Sequence, residues 1–135
     1  PFHQFDNGAV NSLLEGSVEL GESNVIDVES ITGCALMQKV DASVTSGECI
    51  LKIDVQGAEE IVLKSFGALL KLFDYIIIEI TFHDYYLGQS DFFGTISKLD
   101  STHEYAGNLS ETYRDTGTID YMNAVFRLRQ DGKGN

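Results

Sequence analysis

Residues 49–55 read Cys-Ile-Leu-Lys-Ile-Asp-Val, a nearly continuous apolar run that is followed by a glycine at position 57. Such a run is typical of a parallel strand that is buried on both faces, because helices pack above and below it. The glycine interrupts the apolar pattern and frees the backbone for a turn. The sequence therefore predicts a doubly covered strand over residues 49–55 with a turn directly after it.

The next segment has the pattern of an amphipathic helix and a second strand. Between positions 58 and 71, apolar residues recur at helical spacing. Glu59 and Glu60 fall in the first turn and Lys71 in the last, which suits the helix dipole. Residues 74–82 form a second apolar run that is rich in isoleucine. A strand, a helix and a strand with short connections predict a parallel βαβ unit with a right-handed crossover.

Weaker patterns flank this unit on both sides. Before it, we predict short strands over residues 2–5 and 24–31, a short helix capped by Thr32 and a polar loop over residues 43–48. After it, we predict a helix over residues 91–99 and then two strands, 104–113 and 119–129. An Asp-Thr-Gly turn at positions 115–117 joins these strands into an antiparallel hairpin. A polar tail follows from residue 130.

The composition indicates one globular α/β domain over residues 1–135. Of the 135 residues, 43% are hydrophobic, and the formal net charge is −12. Such a negative field repels phosphate backbones, so we expect no nucleic-acid partner. No apolar run approaches the roughly 18 residues that a membrane helix requires, so we expect no membrane partner either. Two cysteines make no disulfide framework, which favours a reducing, cytoplasmic location.

The residues at the strand ends are the best candidates for chemistry. In open α/β sheets, ligands bind beyond the carboxyl ends of the strands. This rule selects Asp54, Gln56 and Gly57 after the first buried run, and Glu79 with His83 at the end of the second. If the two strands are neighbours, their carboxylates approach each other at one rim. They could then act as a base, hold a hydroxyl group or bind a cation.

Other interpretations of the same residues stay open. Asp54 could cap the following helix, and Glu79 could pair with Lys52. Asp54, Glu79 and His83 could together bind a divalent ion, which would suit a metal-dependent hydrolase. The sequence contains no dinucleotide-binding glycine motif, no P-loop, no zinc-ligand spacing and no nucleophile elbow.

Residues 51–59, Leu-Lys-Ile-Asp-Val-Gln-Gly-Ala-Glu, with Val-Leu-Lys at 62–64 and Ile-Ile-Ile-Glu at 76–79, resemble the FkbM family of methyltransferases. The segments at 11–14, 25–31, 86–88 and 120–126 add weaker similarity. The resemblance implies a Rossmann-like methyltransferase sheet, with S-adenosylmethionine as the cofactor. It also implies methyl transfer to an oxygen, such as a sugar or polyketide-type hydroxyl.

The resemblance also assigns roles to the strand-end residues. It implies that Asp54 and Gln56 lie beside the cofactor's reactive end and that Glu79 lies on the neighbouring strand. For methyl transfer we predict cofactor binding by Asp54, Gln56 and Gly57, and catalysis by Asp54 or His83 as the base, with Glu79 orienting. No metal is implied. The family's glycine-bearing first turn and its ribose-binding acid do not occur in this sequence. We therefore expect the chain to be the C-terminal portion of the family's domain, and to be inactive alone.

An alternative is a non-catalytic interaction module derived from a methyltransferase half-domain. Without the central first strand, the strand over residues 49–55 would have an unpaired edge that could pair with a second copy of the chain. A glycine turn after a strand in the upstream reading frame would favour the enzyme over this module. A homo-oligomer and a small-molecule or saccharide acceptor are thus the expected partners.

Overall fold

The computed structural model describes residues 1–40 and 47–130. Four strands form its main sheet, namely β3 (Ile50–Ile53), β4 (Tyr75–Thr81), β5 (His103–Tyr113) and β6 (Ile119–Leu128). Their spatial order is β3-β4-β6-β5, in which β3 and β4 are parallel and the other neighbours are antiparallel. The predicted parallel unit, the predicted hairpin and the α/β class are confirmed.

Two helices pack beside this sheet. α2 (Glu59–Phe66) connects β3 to β4, and α3 (Phe92–Leu99) connects β4 to β5. The first helix is shorter than predicted, because Gly67 adopts a φ of 53° and the chain continues as a 3-10 helix, Gly67–Leu72. A residue in this left-handed region cannot continue an α-helix.

The core lies between the helices and one face of the sheet. Alternate residues of β4 and β6 point into it, which is the period of a strand with one covered face. In β6 the buried positions are 122, 124 and 126. The fully buried members of the core include Ile53, Leu63, Ile76, Ile78, Leu99 and Phe126.

The prediction that β3 is covered on both faces is wrong for the described residues. Its residues alternate between the covered face and an open one, and the side chain of Ile50 is 59% exposed. Lys52 lies on the same open face. The apolar run is continuous in sequence because Ile50 is apolar, but in the described part of the chain no helix packs over it.

The N-terminal segment forms a separate small sheet. β1 (Phe2–Gln4) pairs antiparallel with β2 (Asn24–Ile26). The strand predicted over residues 24–31 therefore ends five residues early, and Val28 and Ile31 are exposed at 44% and 50%. α1 (Gly33–Met37) follows, with the predicted cap, since the hydroxyl of Thr32 accepts the Ala35 N–H at 3.1 Å.

Two predicted polar segments lie largely outside the described residues, namely the loop over 43–48 and the tail after 130. Within residues 1–40 and 47–130, no helix has both the length and the apolar character needed to cross a membrane.

Candidate functional site

The two strand-end carboxylates lie side by side. β3 and β4 are parallel and in register, with Ile53 opposite Ile78, so Asp54 and Glu79 occupy the next position on each strand. Both line an open cleft of about 850 Å³ at this rim of the sheet. The predicted meeting of the two side chains is confirmed, and Tyr86 lines the same cleft.

The side-chain amide of Gln56 joins the two carboxylates. Its Nε2 donates to Asp54 Oδ1 at 2.8 Å and to Glu79 Oε1 at 3.0 Å. Its Oε1 lies 3.1 Å from the hydroxyl of Tyr86, which can donate to it. One amide therefore sets the separation and orientation of both acids, because its NH₂ group donates one hydrogen bond to each acid while its carbonyl accepts from Tyr86.

The backbone at Gln56 is strained. Its φ is 52°, the only positive value among the non-glycine residues described, and Gly57 follows with a φ of 94°. A left-handed conformation costs a residue with a side chain about 1–2 kcal/mol. The buried hydroxyl of Ser12 holds this turn by donating to the Gln56 carbonyl at 2.6 Å. Strain kept at the residue that joins two acids points to a functional site.

A third acid, Glu59, holds the turn that follows β3 by accepting hydrogen bonds from its backbone. Glu59, the first residue of α2, is only 4% exposed. Its Oε1 accepts the N–H of Gly57 at 3.1 Å and that of Val55 at 3.3 Å. Burial raises the pKa of the Glu59 carboxyl, and the three backbone hydrogen bonds that it accepts oppose the rise. The side chain interpreted from sequence as a helix-dipole charge is thus a buried anchor of the strand-end turn.

The electrostatics of the cleft favour protonated groups. Burial raises the pKa of Glu79 above its ordinary value, and the charge of Asp54 adds to the rise. Burial, followed by the nearby acids, raises the pKa of Tyr86 to about 12, so its hydroxyl stays a neutral donor. Lys52 Nζ forms its ion pair with Asp54 Oδ2 at 3.0 Å, and its charge opposes the rise at Glu79 without a direct contact being formed. The alternative pairing of Lys52 with Glu79 is therefore not formed.

Asp54 also does not cap the following helix. The N-cap residue of α2 is Ala58, which makes no side-chain cap hydrogen bond. Asp54 instead directs its oxygens toward Lys52 and Gln56 in the cleft. Both structural alternatives for the strand-end acids are thus absent from the folded chain.

His83 lies away from the two acids. Its Nε2 is 2.9 Å from Glu19 Oε2, and its ring packs edge-on against Tyr85. It is not among the residues that line the cleft. The described part of the chain contains no group of three His, Cys, Asp or Glu side chains placed to hold a metal ion. The constellation considered for a metal-dependent hydrolase is therefore not assembled there.

The remaining walls of the cleft come from distant parts of the chain. One wall is the loop over residues 7–11, together with the apolar residues Phe2 and Leu20. The other consists of Tyr85, Asp120 and Tyr121, at the end of β4 and the start of β6. Tyr86 connects the two sides, since its hydroxyl can also donate to the Val10 carbonyl at 2.9 Å.

The comparison with protein families is decisive. The model of the family described as "Methyltransferase FkbM domain" matches residues 9–113. The chain belongs to the FkbM methyltransferase family. The match confirms the resemblance drawn from the sequence, and it covers the βαβ unit and most of the cleft. Searches of the curated proteins and of the solved structures found no match.

Sequence reasoning missed two residues of this FkbM site. Ser12 is an ordinary serine in a weakly patterned segment, and only folding brings its hydroxyl to the Gln56 carbonyl. Glu59 did carry a signal, because an acid two residues after a strand-end glycine can reach back to the turn amides. The loop over residues 7–11 carried no sequence signal that it would form a wall of the cleft.

The pKa of Glu79 should respond to its neighbours in opposite directions. We expect Asp54→Asn to lower that pKa, because it removes the adjacent negative charge. Gln56→Gly should raise it, because the amide donor is lost while the positive φ is relieved. Carbon-detected NMR titration of the Glu79 carboxyl measures both shifts. Shifts of the same sign in the two variants would contradict this arrangement of the FkbM site.

Proposed function

We propose that this chain serves S-adenosylmethionine-dependent methyl transfer to an oxygen, with a sugar or polyketide-type hydroxyl as the acceptor. Family membership carries the proposal, and the geometry of the strand-end acids supports it. The chain belongs to a methyltransferase family, and the strand-end acids Asp54 and Glu79 share one amide in an open cleft. Paired carboxylates at this position suit the removal of a proton from a bound hydroxyl.

The lining fits the charge and the hydroxyl groups of the proposed cofactor. S-adenosylmethionine, when bound, supplies an electrophilic methyl group on a positively charged sulfur. Asp54 and Glu79 supply negative charge and hydrogen-bond acceptors, which suit a cation and ribose hydroxyls. Asp54, Gln56 and Gly57 would hold the cofactor at this rim, as the family resemblance implies.

The proton of the acceptor hydroxyl would pass to one of the two acids. Glu79 is the better proton acceptor, because burial and the charge of Asp54 raise its pKa above the ordinary value of a glutamate. Asp54 remains a candidate base, and Gln56 holds both acids in place. His83 could take this role only after its contact with Glu19 opens.

The test is transfer of a labelled methyl group from S-adenosylmethionine to a panel of hydroxylated acceptors, with the chain and with any longer natural form of it. Product formation in the longer form supports the proposal. Failure to transfer methyl to any sugar or polyketide alcohol, in a form that binds the cofactor, would refute O-methylation. Calorimetry with S-adenosylmethionine on the same samples separates binding from chemistry.

We further propose that the open edge of β3 pairs with a second copy of the chain. β3 is an outer strand of the described sheet, and its Ile50 is 59% exposed. An apolar outer strand is a template for strand addition. Sedimentation velocity of the 135-residue chain should show a dimer, and Ile50→Lys should shift it toward the monomer. Val18→Lys, at a residue that is 98% exposed, is the matched control.

The same chain alone should bind S-adenosylmethionine weakly. The cleft supplies acids and amides, but the sequence contains no glycine turn of the kind that lets a backbone approach the cofactor's carboxylate end. We expect no saturable binding at micromolar concentrations in calorimetry. Tight binding by the monomeric chain would show that residues 1–40 complete the pocket.

A further inference from the structure

The cleft has a one-sided charge. Its lining contains three carboxylates, those of Asp54, Glu79 and Asp120, and no lysine, arginine or histidine. The nearest described lysine, Lys52, is held by Asp54 at 3.0 Å and does not line the cleft. An anionic ligand would therefore meet negative charge on two walls with no cation to pair with.

Asp120 is the least explained of these acids. It lies at the start of β6, the strand next to β4, and its backbone carbonyl accepts the Phe82 N–H at 2.8 Å. The hydroxyl of Tyr85 is 2.9 Å from one of its carboxylate oxygens and 3.0 Å from the other. This contact fixes the direction of the carboxylate. Because Tyr85 is neutral, this contact adds no positive charge to the cleft. Arg114 acts electrostatically on Tyr85 but does not line the cleft.

The uncharged part of the lining suits a hydroxylated molecule. Asn7, Asn11 and Thr81 present side chains that both donate and accept hydrogen bonds. Tyr121 and Phe2 add aromatic surface to the same cleft. Aromatic walls with a few converging polar groups are the usual composition of a small-molecule site.

We propose that the acceptor is an uncharged polyhydroxylated molecule, without phosphate or carboxylate groups, and that Asp120 determines this selectivity. This proposal rests on the proposed function, because it treats the ligand of the cleft as the acceptor of the methyl group. Its physical cause is like-charge repulsion across a cleft whose only charged groups are acids. Binding can be measured without cofactor, so its failure is distinguishable from a failure of methyl transfer.

The experiment compares two sugars that differ in one charged group. Amide NMR spectra of the chain at pH 7 and low salt are recorded with D-glucose and with D-glucose 6-phosphate. We expect glucose to shift the amide signals of the cleft residues Thr81 and Tyr121, and the phosphate ester to bind at least about fivefold more weakly. High salt should reduce this difference in affinity, because it screens the repulsion between the phosphate and the carboxylates of the cleft.

Two variants with the same change in net charge locate the cause. Asp120→Asn should reduce the difference in affinity between the two sugars. The asparagine amide can still accept the hydrogen bond from Tyr85, but the negative charge is gone. Asp27→Asn should leave the difference in affinity unchanged, because Asp27 is fully exposed in the N-terminal segment and does not line the cleft. The amide spectrum of each variant reports directly whether it is folded.

Three results would overturn the proposal. Equal or tighter binding of D-glucose 6-phosphate would show that the cleft accepts anions. The absence of shifts with either sugar, at concentrations up to about 100 mM, would refute a polyhydroxylated ligand of this kind. Equal effects of Asp120→Asn and Asp27→Asn would assign the selectivity to the net charge of the chain and not to Asp120.

Discussion

Replacing Glu79 by Gln is expected to lower the rate of methyl transfer by about 100-fold or more, in whichever natural form of the protein is active. General-base catalysis by a positioned side chain contributes about 10²–10⁴-fold. Glutamine keeps the size of the side chain but cannot accept the proton. The measurement is kcat and KM for transfer from S-adenosylmethionine, with circular dichroism to verify the fold.

The loss should appear in kcat rather than in KM, because the proton is removed in the transition state. The wild-type rate should rise with pH as Glu79 loses its proton at its raised pKa. This rise should be absent from the pH profile of the variant's residual activity. Glu104→Gln is the matched control, since Glu104 pairs with Arg127 on β5 and β6 and does not line the cleft. A Glu79→Gln enzyme with full activity would assign the base to another residue, with Asp54 the first to test.

Glu59→Ala is expected to destabilise the chain by about 2–4 kcal/mol. The substitution leaves the N–H groups of Val55 and Gly57 without their acceptor, and an unsatisfied buried donor costs about 1–3 kcal/mol. Glu59→Gln keeps an acceptor oxygen in place and should change the free energy of unfolding by less than about 1 kcal/mol. Urea denaturation of the two variants gives both values.

The pH dependence of stability distinguishes the charge of Glu59 from its hydrogen bonds. Its folded pKa is raised above 4.5, so the folded state holds the proton more tightly than the unfolded chain does. As pH falls through the folded pKa toward 4.5, Glu59 therefore contributes increasing stability. Glu59→Gln should lack this contribution. If both variants unfold like the wild type, the carboxylate does not anchor the turn.

Much of the fold followed from local pattern. The two apolar runs and the helix between them indicated the parallel βαβ unit, and the Asp-Thr-Gly turn at positions 115–117 indicated the hairpin. Asp91 was placed at the start of the predicted helix over residues 91–99, and its side chain caps α3. These features rest on interactions between residues close in sequence, so their pattern is visible without the tertiary structure.

The open face of β3 shows the limit of such patterns. A run of apolar residues is the same in sequence whether one face is covered or two, and only the position of the helices decides between them. The early end of β2 has a similar cause. Residues 27–31 have apolar positions suited to a strand, but no described strand lies beside them to accept their hydrogen bonds.

The sequence by itself determined which residues stand at the strand ends, because Asp54 and Glu79 each follow a buried run and parallel strands end at one rim. It also determined the family, through the string over residues 51–59. Only the tertiary structure decided how these residues act together. The Gln56 amide reaches both acids because its backbone is held at a positive φ by Ser12, 44 residues earlier in the chain. His83, four residues after Glu79, turns toward Glu19 because the loop leaves the strand there. Contacts across such separations depend on the packing of whole elements, which no local spacing encodes.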